Sequence, residues 1–240
     1  MMTSARSQSF VQVTSDQRKK LFVSGTVNRA FDPNGEFDQR VFGLAVTYRP
    51  TGALNLSISP QWNLRDPTMQ YVGTAASAAG PRYVLASLQQ RTLSLTARVN
   101  YSITPSLTVQ FYGQPFVSAG RYSEFKQVTD PRAAAFASRF RVLGAAELAR
   151  AHGRLVVDEN QDGTSDYSLR DPDFGFREFR SNLVVRWEYS PGSTLFVVWS
   201  QGRTGVDGNG SFSAGGGLRD LFEVAPNNVF LVKISRWLSF

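Results

Sequence analysis

Cysteine is absent from the 240-residue chain, which removes disulfides, thiolate nucleophiles and cysteine-held metals from its chemistry. Histidine occurs once, at His152, and no nucleophile motif surrounds it, so nucleophilic catalysis with a histidine base has no support in the sequence. Paired carboxylates cannot be located from sequence alone, and an enzyme is the last of the readings considered. A run of about 18 apolar residues is also missing, which excludes a transmembrane helix on length; only strands would carry this chain through a bilayer. The first ten residues, M-M-T-S-A-R-S-Q-S-F, lack the apolar stretch of a secretory signal, so an exported protein requires this chain to be the C-terminal piece of a longer precursor. The net charge of +7 points toward polyanions. Lys and Arg are nevertheless scattered along the chain rather than gathered in one run, which argues against nucleic acid as a partner.

What the sequence does have is alternation. In the last residues, Asn228 to Phe240, Phe230, Val232, Ile234, Leu238 and Phe240 share one strand parity, while Lys233 and Ser235 take the other. Successive strand side chains point to opposite faces, so one face suits an apolar medium and the other suits water. Upstream, Leu54, Leu56, Ile58, Trp62 and Leu64 oppose Asn55, Ser57, Ser59, Gln61 and Asn63; Leu93, Leu95, Ala97 and Val99 oppose Ser94, Thr96, Arg98 and Asn100. Leu183, Val185, Trp187 and Tyr189 oppose Asn182, Arg186 and Glu188, with Val184 as the exception. A half-buried sheet in a soluble β-sandwich binding module uses the same pattern as a membrane barrel.

Three segments share one template: Tyr48-R-P-T-G-A-Leu54, Tyr101-S-I-T-P-S-Leu107 and Tyr189-S-P-G-S-T-Leu195. Proline presets a turn dihedral and Gly or Ser tolerates the rest, so each joins two antiparallel strands with almost no loop. The expected strands are 19–30, 39–49, 54–65, 82–103, 107–118, 174–189, 194–204 and 228–240, and residues 9–14 add the tail of one more descending strand. All three tight turns then lie at one end, and the segments 66–81, 119–173 and 205–227 lie at the other, with a shorter one at 31–38. This sorting predicts an all-β fold: an antiparallel, up-and-down transmembrane β-barrel over 1–240, of eight strands or part of a larger one. Short turns would face the periplasm and long loops the exterior. Tyr48, Trp62, Tyr101, Trp187 and Tyr189 fall near strand ends, where a membrane interface favours amphipathic rings. The polar side chains of Arg98, Asn100, Arg180, Asn182, Arg186 and Glu188 would face the lumen, lining an aqueous path or pairing across a filled interior according to barrel diameter.

The long loop 119–173 should hold structure of its own. Residues 130–150 favour a helix, with Pro131 in its first turn. Asp158, Asn160, Asp162 and Asp166 stand at alternating spacing around Gly163, the pattern of the first half of a calcium loop. The place of the closing bidentate Glu is taken by Leu169, which leaves two readings: a calcium site completed by Asp171 or Asp173, or a polar Asx-rich turn. Residues 205–217, G-V-D-G-N-G-S-F-S-A-G-G-G, lack phosphate-loop spacing and read as a flexible surface loop.

Five stretches carry a resemblance: S-D-Q-R-K-K (15–20), Q-P-F-V-S-A-G-R-Y-S-E-F (114–125), D-P-R-A-A-A-F-A-S-R-F (130–140), F-R-S-N-L-V-V-R-W-E-Y-S-P-G-S-T-L-F-V-V-W (179–199) and N-V-F-L-V-K-I-S-R-W (228–237). Together they resemble an uncharacterised family of bacterial outer-membrane proteins in which a carbohydrate-binding family 9-like module precedes a C-terminal β-barrel. The resemblance implies that this chain covers the terminal part of the barrel, without the sugar-binding module. The expectation is a non-enzymatic outer-membrane anchor or passive conduit associated with glycan binding or uptake, with a channel proper as the alternative. Its expected partners are outer-membrane lipid, the outer-membrane assembly machinery acting on the strand that ends in Phe240, and glycans held by the preceding module. No cofactor is expected beyond the candidate calcium ion.

Overall fold

The computed structural model describes residues 5–238. Strands β1 (Ser7–Thr14), β2 (Leu21–Phe31), β3 (Phe37–Thr51), β4 (Leu54–Pro67), β5 (Gln70–Ser77), β6 (Gly80–Thr104) and β7 (Leu107–Val128) come first. A single 3-10 turn at Phe136–Arg139 leads into four short strands: β8 (Phe140–Val142), β9 (Leu148–Ala151), β10 (Arg154–Val157) and β11 (Tyr167–Arg170). The chain ends in β12 (Phe174–Ser190), β13 (Ser193–Asp207), helix α1 (Ala214–Glu223) and β14 (Asn227–Ser235). The expected long strands are all present, and residues 9–14 lie in β1, a full member of the sheet.

One antiparallel sheet dominates, in the order β1-β2-β3-β4-β6-β7-β12-β13-β14, with β5 added beside β6 and β8 beside β7. A closed eight-stranded barrel does not form. Among the described residues the path holds nine strands, and neither β1 nor β14 has a partner on its outer side. The last strand is also shorter than its alternation suggests. It stops at Ser235, and the backbone N–H of Trp237 donates to Ser193 Oγ at 3.0 Å, tucking the chain under the β12–β13 turn against Gly192. Phe240 lies outside the described residues.

The three template turns behave alike. Each carries a register shift, between Tyr48 and Thr51, Ser102 and Thr104, and Glu188 and Ser190. A bulge adds local twist at a tight connection, and this is how the Tyr-to-Leu template closes its hairpins.

At the opposite end, β6 and β7 run far beyond their neighbours and support a cap made by residues 129–173. The three-stranded sheet β11-β10-β9 buries Leu155, Val157 and Tyr167 against Val84, Ala86, Phe125 and Leu143. The helix expected over 130–150 is confined to the 3-10 turn Phe136–Arg139. Phe140–Val142 instead pairs with Lys126–Val128 as β8, and Leu143 enters the cap core. Here strand pairing and burial outweigh the helix propensity of an alanine-rich stretch, which is a weak local preference.

The glycine-rich stretch expected to be a loose loop also differs. Its first residues, Gly205–Asp207, complete β13, and its last glycines open α1, where Ser213 caps the helix by accepting from the Gly216 N–H at 3.1 Å. Gly217 is buried, and a Cβ there would stand 2.6 Å from Val117 Cγ1. The glycines let the helix lie close on the sheet, so their role is close approach.

Candidate functional site

The register sorts the long strands into two faces. One ladder row runs Val11, Val27, Phe42, Trp62, Leu93 and Val117; another runs Tyr48, Leu56, Val99, Phe111, Leu183, Trp199 and Phe230; a third runs Leu54, Tyr101, Val109, Val185, Val197 and Val232. All of these side chains project from the same face, because partners across an antiparallel ladder point the same way. Apart from Val117, which α1 buries, most of them are not core residues. Phe42 is 42%, Ile58 45%, Val197 37% and Val232 63% exposed. An apolar surface continuous over so many strands is far larger than a monomer in water normally shows.

The long-loop end of this face is bounded by charge. Asp38 binds Arg29 at 3.1 Å and Arg40 at 2.5 Å, Asp66 binds Arg91 at 2.6 Å, and Arg177 bridges Asp207 at 2.5 Å and Asp220 of α1 at 3.1 Å. Helix α1 covers this boundary: Phe222 packs on Phe179 with ring centroids 5.3 Å apart, and Phe212, just before the helix, meets Trp62 at 5.3 Å. The tight-turn end is bounded by the template tyrosines and by Trp187, which packs edge-on against Tyr189.

The other face is polar and concave. Gln12, Ser24, Thr26, Ser59, Gln61, Ser94, Thr96 and Gln114, from five strands, line one open concavity of about 390 Å³. A flat sheet would spread those strands too widely to share one cavity. Arg98, Asn100, Arg180, Asn182, Arg186 and Glu188 all project from this face, as the ladder rows Arg98–Tyr112–Asn182 and Asn100–Gln110–Val184 show. They do not converge on one point. Arg98 lies over the Tyr112 ring, 5.3 Å from its centroid; Arg180 pairs with Glu178 at 2.7 Å, Arg186 with Glu188 at 3.1 Å, and Asn182 accepts from Ser200 Oγ at 2.6 Å. Arg180, Asn182, Arg186 and Glu188 are partnered locally, within their own strand or the next, which leaves the concavity open. Tyr112 and Gln114, hydrogen-bonded at 2.7 Å, belong to this face and were missed by sequence reasoning, although the alternation Gln110, Tyr112, Gln114 in β7 carries the signal.

The candidate calcium residues come together in the β10–β11 connection as a self-satisfied turn. Asp158 accepts from the N–H groups of Asp162 (3.2 Å) and Gly163 (2.8 Å), Asp162 from Thr164 N (2.8 Å) and Asn160 Nδ2 (2.9 Å), and Asp166 from Glu159 N (2.6 Å). The Asp162 carboxyl is held below its usual range, chiefly by Thr164. Among the described residues no group of three His, Cys, Asp or Glu side chains is placed to hold a metal ion. Asp171 and Asp173 are engaged elsewhere, at 2.9 and 2.8 Å from Arg150. His152 sits at positive φ in the β9–β10 turn.

No curated protein and no solved structure matches the chain. One family does, through a model that spans residues 1–240. The chain therefore belongs to the family described as Domain of unknown function (DUF5916), and its antiparallel sheet with one apolar and one polar face is the architecture of that domain in this chain.

Proposed function

We propose that the sheet is a segment of a transmembrane β-barrel in a bacterial outer membrane, that its apolar face touches lipid, and that it serves as an anchor. The observation that carries this reading is the exposed apolar face, bounded by tyrosine and tryptophan at one end and by paired charges at the other.

Two quantities support it. In β6 the apolar positions from Leu93 to Ile103 cover about 33 Å along the strand at ~3.3 Å per residue, which a tilt of about 40° reduces to a height of about 25 Å, that of an outer-membrane apolar band. The tilt has its own marker. The ladder row through Tyr48 passes Val99, two residues short of Tyr101, and reaches Leu183, six residues short of Tyr189. Equivalent tyrosines thus slip by six residues over four strand spacings, about 20 Å against about 19 Å, so a line through them crosses the strands at close to 45°. Barrel strands tilt by about 35–45°.

The concave polar face suits water, and the open concavity between Gln12 and Gln114 favours a second role as a passive conduit for solute. The family resemblance adds a glycan-binding module ahead of the barrel, which the anchor would hold at the membrane. Substitution of Ile58, mid-height on the apolar face, tests the reading. Ile58→Arg should destabilise the lipid-embedded protein by about 2–4 kcal/mol, measured by urea unfolding in vesicles. A shift within about 0.5 kcal/mol, the usual effect at a water-exposed surface position, together with cooperative folding in detergent-free buffer, would refute it.

A further inference from the structure

The sheet has two free edges, and they run in the same direction. Every neighbouring pair on the path is antiparallel, so direction reverses at each step; with nine strands among the described residues, β1 and β14 both descend from the long-loop end to the tight-turn end. All residues of both edge strands are exposed, and their outer rows of backbone N–H and C=O groups have no partner strand. Inside lipid such groups cost several kcal/mol each, and an antiparallel barrel without an edge needs an even number of strands.

β1 and β14 do not pair with each other, and a seam between them would be parallel in a sheet that is otherwise antiparallel, against the even strand number of bacterial outer-membrane barrels. A second copy does not help. Two copies in one membrane share one orientation and are related by rotation about its normal, which carries a descending strand onto a descending strand. Only an ascending strand fits either edge.

Resting on the membrane reading above, we infer that β1 and β14 are docking edges for an odd number of further strands of the same polypeptide, outside residues 7–235, and that both the strand beside β1 and the strand beside β14 ascend. The source follows from the topology: along the whole path each long strand pairs with the next long strand in sequence, so the neighbour of β1 is the strand before it. By the same rule a strand following β14 in sequence would lie beside β14. The edges suit such partners. Phe10, Val11 and Val13 on β1, and Phe230, Val232 and Ile234 on β14, are large apolar side chains with nothing beside them on the outer flank.

Photo-crosslinking of the full-length gene product in its own membrane tests this. Val11 and Phe230, both on the apolar face, are each replaced by p-benzoylphenylalanine, and Phe42, flanked within this chain by Val27 and Trp62, serves as the interior control. Peptide mass spectrometry should find both edge probes joined, within one molecule, to sequence outside residues 7–235, at a yield several-fold above that of the Phe42 probe. Joining of the Phe230 probe to residues 7–14, a crosslinked dimer, or capture of lipid alone at both edges would each overturn the inference while leaving the membrane reading intact. A full-length protein recovered unattached to membrane would overturn both.

Discussion

The ribbon and the cap use the same residue types and bury them in opposite ways. In the cap, Val84, Leu155 and Val157 are at most 1% exposed, packed around Tyr167 and Phe125 in a small closed core. In the ribbon, Val197, Ile58 and Val232 stand 37–63% exposed, away from the area that α1 covers. The hydrophobic effect acting in water accounts for the first region and leaves the apolar side chains of the second uncovered. On the membrane reading proposed above, water surrounds the cap and lipid covers the convex side of the ribbon.

The largest effect that would sharpen this contrast is expected at Leu155. Leu155→Ala removes a fully buried side chain and should cost the cap about 2–5 kcal/mol, read as faster hydrogen exchange and easier proteolysis within residues 129–173, with exchange in the interior of β6 and β7 unchanged. Uniform acceleration through the ribbon would show that the two regions are one cooperative unit and break the comparison.

A smaller effect follows from pH. Burial raises the Tyr167 hydroxyl from its ordinary 10.0 to about 12, while the Gly144 amide and then Arg141 hold the Glu147 carboxyl below its usual range. The Tyr167 contribution is complete below about pH 10 and is lost as pH rises through about 12; the Glu147 contribution is complete above the unfolded carboxylate value and is lost as pH falls through the lowered one. Cap proteolysis followed across pH, with the ribbon as internal reference, should therefore be slowest between those limits. A cap that loosens steadily from neutral pH upward would contradict this assignment.

The ribbon was legible in the sequence because a period of two is a strong, local signal: β3, β4, β6, β12 and β13 begin and end within a few residues of where alternation places them. The three Pro turns were legible for the same reason. The cap was not, because strands of three or four residues such as β8 and β10 are too short to show a period and are defined by partners far away in sequence. Helix α1 hid in its glycines, which signal flexibility in one dimension and close contact with Val117 in three. Closure was hidden as well. Whether strands close depends on parity and direction, and the standing of Ser7–Thr14 as a full strand changes the count from even to odd.

Cysteine labelling at two adjacent positions tests the central claim most directly, since the chain has no thiol of its own. Leu95 lies on the apolar face at mid-height, and Thr96 lines the polar concavity behind it. In the lipid-embedded protein, Leu95→Cys should react with a lipid-soluble maleimide and resist a charged one, and Thr96→Cys should do the reverse. Equal reaction of both with the charged reagent, or protection of Leu95→Cys from both reagents in a protein folded in plain buffer, would contradict a lipid-facing sheet.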